Sequence, residues 1–379
     1  MSHHCVILLQ ACFGSAIIAS MSSTLRDVAT LAQVSVSTAS RALNRHPAIT
    51  PETVSRVRRA ADQLGYCSRQ SHRRLDPTRS LARTNIGLLC LGMDRSLVEL
   101  PVVASAISGA ETTLSGAGAT VHLTQVPDLA SPPTTLLRKR LDGVILAGAM
   151  QGTLITDTRS ELLQWLRTLP TVWLLGRPIG CWGDAVGSDD HATGGKAAEY
   201  LFERGHRRMA FVNPKSDHLL FMCREDSFVA TARRLGAEVE TYSDSAPHRW
   251  QLPLHAPESV ETVQGLVDDL IAAVPRPTAI FAAADSVGTL IYRALAVRGL
   301  RAGADISVIS ANNDAALIQS LYPQLTTFDI HAHQLGRLAV RHLAMRITAS
   351  DAFPETDLTI KPTLVEGGSV APITVPSKH

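Results

Sequence analysis

The sequence predicts a small all-α helix-turn-helix head at 21–66, joined through a basic hinge at 67–84 to an α/β body at 85–379. Three observations predict it. Residues 24–64 carry three short apolar patterns at helical spacing, each with its own start signal. From Thr84 onward, apolar runs of strand length alternate with helical patterns, as in doubly wound parallel sheets. Positive charge is concentrated at the head: residues 21–84 hold eleven Arg, no Lys and four acids, a net of +7 that leaves −5 for the rest of a chain whose total is +2.

Residues 1–20 contain an apolar run, Val6 to Ala19, like the core of an export signal. No Lys or Arg precedes it and it is too short to span a bilayer, so Met21 is read as the start, with residues 1–20 an over-extended reading frame or a tail. Leu25, Val28, Ala29, Leu31 and Ala32 form one helical face, and Thr24 with Asp27 makes a capping-box start. Gln33-Val34 breaks the pattern. Ser35 then caps a second helix whose buried side is Val34, Ala39 and Leu43. Thr50-Pro51 opens a third, with Val54, Val57, Ala61 and Leu64 inward and Gly65 as its stop. The outer face of the second helix carries Ser37, Thr38, Ser40 and Arg41 instead of the Glu/Lys mix of a solvated face. Hydroxyls and a guanidinium suit base edges and phosphates, and on a basic segment they imply a nucleic-acid binder whose affinity falls with salt.

In the body, strands are expected at 85–91, 143–147, 171–175, 209–212, 279–283 and 306–310. Helices are expected through 103–118 and at 160–168, 192–203, 225–235, 260–273 and 287–298. The six cysteines lack CxxC or metal-ligand spacing and read as reduced structural thiols. His331-Ala332-His333 places two histidines on one side of an extended strand with no third ligand at metal spacing, and reads as structural. There is no G-x-S-x-G elbow, and Gly194-Gly195 and Gly367-Gly368 lack dinucleotide-binding spacing, so neither enzymatic activity nor a cofactor is expected.

Residues 27–66, DVATLAQVSVSTASRALNRHPAITPETVSRVRRAADQLGY, resemble the DNA-binding head of the lactose-repressor (LacI) family of bacterial transcription regulators. The likeness continues in Leu141-Asp142-Gly143-Val144-Ile145, in Ser188-Asp189-Asp190 with Gly194-Gly195 and Arg204-Gly205-His206-Arg207-Arg208, and in Pro323-Gln324-Leu325-Thr326-Thr327, spanning about Thr24 to Gly368. It implies a periplasmic-binding-protein-like body of two subdomains, 85–187 with 330–350 and 188–329 with 351–379, the chain crossing near Ser188, Asp329 and Ser350. It further implies a cytoplasmic homodimer, without membrane attachment, that binds a palindromic operator in double-stranded DNA as a repressor. A small carbohydrate-like effector in the cleft between the subdomains would gate it.

The resemblance places Val36, Ser37 and Arg41, with Thr38 beside them, where the major groove is read. Val36 suits a thymine methyl, and Arg41 either pairs with a guanine or clamps a phosphate. Asn44 and Thr50 are caps that also touch phosphates. Leu75 stands where the family's hinge pushes a leucine into the minor groove, beside Arg69 in place of a usual Asn and His72 in place of a small Ala; the alternative is a basic linker. In the cleft, Arg224 occupies the place of a ligand-binding arginine whose fork suits vicinal hydroxyls or a carboxylate. Asp285 is kept, but Ala284 replaces the preceding Asn and Asn312 replaces a ligand-clamping Asp, which points to an unusual or bulkier ligand or a weakly liganded repressor. Trp250 and His255 either stack on a sugar or serve the core or a loop. The C-terminal residues 370–379 carry no leucine heptad, so a dimer is expected and not a tetramer. An exported solute-binding protein would share the body and use residues 1–20 as its signal, but the basic head argues against it. A sugar-metabolising enzyme would need a catalytic cluster that the sequence does not offer.

Overall fold

The computed structural model describes residues 24–43, 46, 48–64, 76–244, 250–255, 259–349 and 354–373. The expectations placed on residues 1–20, Asn44, Arg69, His72 and Leu75 lie outside the described residues. The chain divides into two compact units, one ending at Asp76 and one beginning at Pro77.

The head consists of α1 (Leu25–Leu31), α2 (Val36–Leu43) and α3 (Pro51–Gln63). Thr24 and Asp27 form a reciprocal capping box: Thr24 N donates to Asp27 Oδ2 at 2.7 Å and Asp27 N to Thr24 Oγ1 at 3.4 Å. The turn passes through Gln33 at φ 53°, and Ser35 Oγ accepts from Thr38 N at 3.0 Å to start α2. Most of the buried core is alanine, Ala29, Ala32, Ala39, Ala42, Ala60 and Ala61 around Val28 and Val57. Small side chains let three short helices, individually too short to be stable, approach closely enough to support one another.

The body holds two six-stranded sheets of order β11-β5-β4-β3-β1-β2 and β12-β10-β9-β8-β6-β7, parallel except for β12. The strands are β1 (Asn85–Leu91), β2 (Thr120–Val126), β3 (Gly143–Gly148), β4 (Thr171–Leu174), β5 (Asp184–Ser188), β6 (Arg208–Asn213), β7 (Glu238–Ser243), β8 (Ala279–Ala282), β9 (Ser307–Asn312), β10 (Thr326–Asp329), β11 (Asp357–Ile360) and β12 (Thr363–Val365). The near-continuous burial of β1, β3, β4 and β8 matches their apolar runs. The strands with no apolar run, such as β2 and β7 at the sheet edges, alternate exposed and half-buried residues.

The chain passes from the first sheet to the second after Ser188, returns after β10, and crosses last at residues 361–362, between β11 and β12. The last crossing therefore lies beyond the one expected near Ser350. Segment 354–360 stays with the first subdomain because β11 pairs along β5, Asp357 opposite Ala185. Likewise 77–84 is not hinge: Pro77–Leu81 forms a 3-10 turn, and Leu81 is fully buried in the first subdomain's core. His331-Ala332-His333 is not extended. The chain turns at His331, φ 59°, into the helix Ala332–Thr348, because the buried Leu335, Ala339, Val340 and Leu343 face the first sheet's core at helical spacing. Among the described residues no cluster of three His, Cys, Asp or Glu can hold a metal ion, and no helix is long and apolar enough to cross a membrane.

Two noncovalent ties supplement the three crossovers. Gln151 bridges His218, with Leu219 N donating to Met150 O at 3.0 Å. Further along, the stretch 250–255 leaves the second subdomain and docks on the first: Leu254 N donates to Gly92 O at 2.8 Å and Asp94 N to Leu254 O at 2.9 Å. Leu254 is buried there, Trp250 and Leu252 pack on the same cluster, and His255 Nδ1 lies 2.5 Å from Asp94 Oδ2. Trp250 and His255 thus serve the docking of this strap.

Candidate functional site

The described side chains singled out by the sequence fall on two surfaces. On the head, Val36, at 43% exposure, stands outward on α2 with Ser37 and Arg41, while Thr38 is half-buried. Ser35 Oγ lies 2.8 Å from both Ser37 Oγ and Thr38 Oγ1, so the start of the helix presents a linked set of hydroxyls. None of these groups is needed for the core, whose share of α2 is Ala39 and Ala42 with Leu43 beside them. The placement suits an element that offers its N-terminal face to DNA edges and phosphates.

In the body, a cavity of about 120 Å³ lies between the subdomains. Arg224 is brought to it by two helices. Asp190–Glu203 packs on Leu219–Leu235 so closely that a Cβ on Gly194 would sit 2.1 Å from Arg224 O, and this contact sets Asp190 beside the arginine. Arg224 is 2% exposed. Its Nε donates to Asp190 Oδ1 at 2.6 Å, its Nη1 to Ala283 O at 2.6 Å and its Nη2 to Asn312 Oδ1 at 3.1 Å. Burial raises the Asp190 carboxyl, and the adjoining guanidinium opposes that shift.

Arg224 and Asn312 therefore meet in the cavity wall, whereas Asp285 stands behind it. Asp285 is fully buried and accepts from Ser310 Oγ, from Thr327 Oγ1 at 2.7 Å and from Asp314 N at 2.7 Å. It holds the turn after β9 and does not line the cavity. That turn runs through Asn312 at φ 122° and Asn313 at φ 57°, a left-handed pair that asparagine tolerates better than most residues, and it delivers Asp314 to the wall. Burial, then the charge of Asp285, pushes the Asp314 carboxyl up to about 7.

Sequence reasoning missed Asp314, Lys215, His218 and Gln151 in this wall, and the partner role of Asp190. The double asparagine was the available signal for Asp314. His218 stacks on Phe221 at 4.1 Å between ring centroids, and burial with the nearby Lys215 and Arg224 charges lowers it to about 3, so it is neutral. Its Nδ1 is buried without a hydrogen-bond partner. Of the thiols, Cys90, Cys181 and Cys223 are free, and burial raises Cys90 to about 12, an inert structural sulfur.

The family described as bacterial regulatory proteins, lacI family, matches residues 24–68, and a periplasmic binding protein-like domain matches residues 198–370. The chain is 27% identical over 356 residues to the ribose operon repressor of Escherichia coli (strain K12), covering 92% of this chain and 99% of that one. A solved complex of the transcriptional regulator CelR with cellobiose shares its fold with a TM-score of 0.60 at 24% identity, over 92% of this chain and 99% of that chain. A lac repressor dimer bound to operator and the anti-inducer ONPF does so with a TM-score of 0.60 at 19% identity, over the same shares of the two chains. These relatives are transcription regulators, not enzymes. The chain thus carries at its head the DNA-binding domain of bacterial regulatory proteins of the lacI family and, behind it, a periplasmic-binding-protein-like domain, the arrangement of the transcription regulators it resembles over nine-tenths of its length.

Proposed function

We propose that the protein is a cytoplasmic, non-enzymatic repressor that binds a pseudo-palindromic operator as a homodimer and is gated by a small molecule in the cleft of the body. The observation that carries this reading is the outward face of α2, where Val36, Ser37 and Arg41 are exposed on a head of net positive charge and perform no packing. Thr38 supports their hydroxyl network. Asn44, Arg69 and Leu75, outside the described residues, are assigned to backbone and minor-groove contacts. Arg224 and Asn312 are assigned to the effector, with Asp285 as the residue that positions the wall. The lac repressor similar in fold is a dimer on operator, and the CelR similar in fold holds cellobiose. Dimeric assembly and a carbohydrate effector are carried over from these as the first class to test.

The test is a fluorescence-anisotropy titration against palindromes upstream of the protein's own gene at two salt concentrations. Binding should be specific and should weaken steeply with salt as counterions are released. Arg41→Ala should weaken specific binding by about 1–3 kcal/mol, roughly 5- to 150-fold, while the dimer persists in sedimentation. An unchanged footprint in that variant refutes the assignment of α2.

A further inference from the structure

The crossovers and the strap at 250–255 sit at opposite edges of the two sheets. The chain leaves the first sheet from β5 and β11, leaves the second from β10 and enters it at β12, and these are the outer pairs at one edge of each sheet. The strap comes after β7, at the far edge of the second sheet, and docks at Gly92–Asp94, just past the end of β1. β1 stands three strands from β5 and β7 four from β10, roughly 14–19 Å away at ordinary strand spacing. A rotation about the crossovers therefore has to part the subdomains where this strap joins them.

The strap has a built seat. Leu254 donates its N–H to Gly92 O and accepts from Asp94 N, so it pairs with Met93 like one rung of a parallel ladder. Leu254 is 3% exposed, and Leu252 packs on the same cluster. Gly92, at φ 68°, makes room for them: a Cβ there would stand 2.8 Å from Leu252 Cδ2. The second tie adjoins the strap, because Trp250 and Gln251 line a small pocket together with Gln151 and Asp217. There Leu219 N donates to Met150 O at 3.0 Å and Gly152 N to Asp217 O at 3.1 Å. Both ties border the cavity that holds Arg224, through Met93 from one and Met150, Gln151 and His218 from the other. The strap is fastened by one buried leucine, two backbone hydrogen bonds and the His255–Asp94 pair, far less than holds a six-stranded sheet. It can lift while both sheets stay folded, as a local opening.

We propose that the strap 250–255 is a releasable latch: seated on Gly92–Asp94 it holds the two subdomains closed over the cavity, and a ligand reaches Arg224 only when it lifts. The latch is a property of the body alone, and its regulatory consequence rests on the reading of that body as a ligand-gated unit.

The test uses the full chain with no added ligand. It reads amide hydrogen exchange at single residues and the radius of gyration by small-angle scattering, with operator anisotropy in parallel. Leu254→Asp, whose charge cannot stay in the buried seat, should speed exchange at Asp94 and at Leu219 on the order of tenfold or more and enlarge the radius of gyration. Amides within β1, β3, β6 and β8 should stay protected. Leu254→Met, which refills the seat, should behave as the natural chain. Faster exchange confined to Asp94, with Leu219 and the radius of gyration unchanged, overturns the proposal, since the strap then fastens nothing beyond itself. Should Leu254→Asp loosen the sheets as well, Leu254→Ala is read in the same way. Loosened sheets in both variants make the strap a part of the first subdomain's core and overturn the latch. Unlatching in a chain that recognises no operator supports the latch and defeats the regulatory reading; operator binding without unlatching does the reverse.

Discussion

On α2, the side chains turned outward and those turned inward are different residues: Val36, Ser37 and Arg41 meet solvent while Ala39 and Ala42 build the core. In the cleft the same residues do both jobs. Arg224 lines the cavity and, through Asp190, Ala283 and Asn312, ties its helix to the start of a second helix and to the ends of two strands. If the proposed reading of α2 holds, the head can change what it binds without changing how it folds, because Val36, Ser37 and Arg41 are groups that the core does not use. The cleft cannot, since a buried guanidinium or carboxylate must keep its internal partners whether or not a ligand is present.

The largest effect that would sharpen this contrast is expected from Asp190→Ala. It leaves Arg224 buried without its nearest carboxylate, an uncompensated charge worth about 3–5 kcal/mol of destabilisation. Chemical denaturation of the variant should show that loss, with Asp190→Asn, which retains an acceptor, destabilised less. A cost below about 1 kcal/mol for Asp190→Ala, the level of an exposed pair, would break the distinction.

A smaller effect is expected from pH. Burial, the charge of Asp285 and, more weakly, that of Asp329 raise the folded Asp314 carboxyl from 3.8 to about 7, while Asn312 and Arg224 oppose the shift. The protonated form is thus favoured in the fold. Its contribution to stability is complete below the unfolded value of 3.8 and is lost as pH rises through about 7. His218 acts in the opposite sense. Lowered from 6.5 to about 3, it contributes stability above 6.5 that is lost as pH falls toward 3. The stability difference between the natural chain and Asp314→Asn should therefore shift against the natural chain between pH 4 and 7. A difference that stays flat over that range would place Asp314 in solvent-like surroundings.

The smallest change is expected from Thr24→Ala in the head. Removal of the capping-box hydroxyl should cost about 1 kcal/mol of head stability. Operator contacts should be retained once the head is folded, because the cap lies on α1 and the reading face on α2. Loss of specific operator recognition at temperatures where the head is fully folded would tie function to packing in the head as well.

The head was legible in the sequence almost residue by residue. Its signals are local: Thr24 reaches Asp27 within one turn, Ser35 caps Thr38, and the apolar spacing of 25–43 sorts the residues to one side of a short helix. The exception is Leu31, expected inward but 48% exposed because it closes the first helix on the side away from the core. In the body, buried parallel strands such as β1 and β3 announced themselves as apolar runs. Edge strands β2 and β7 did not, since half their surface stays wet and their burial comes from neighbours far along the chain. The helix Ala332–Thr348 went unread beside its histidine pair for the same reason: its pattern is completed by the helix Pro101–Gly116, on which it packs at Gly109 and Gly336.

By itself the sequence determined the identity of the units, the outward face of α2, the alternation that produces two parallel sheets, and Arg224 and Asn312 as groups of interest. The tertiary structure alone decided what the cleft is. Asp285, in a motif that suggested ligand contact, is a buried support, and Asp314, signalled only by the double asparagine before it, came to the wall. The third crossover moved to 361–362 because β11 completes an edge of the first sheet. The physical reason is range. Caps, turns and amphipathic faces are settled by residues three or four positions apart, but desolvation, the engagement of each donor and acceptor, and the hydrocarbon residues facing them depend on residues from about 25 to more than a hundred positions apart, which meet only when the chain folds.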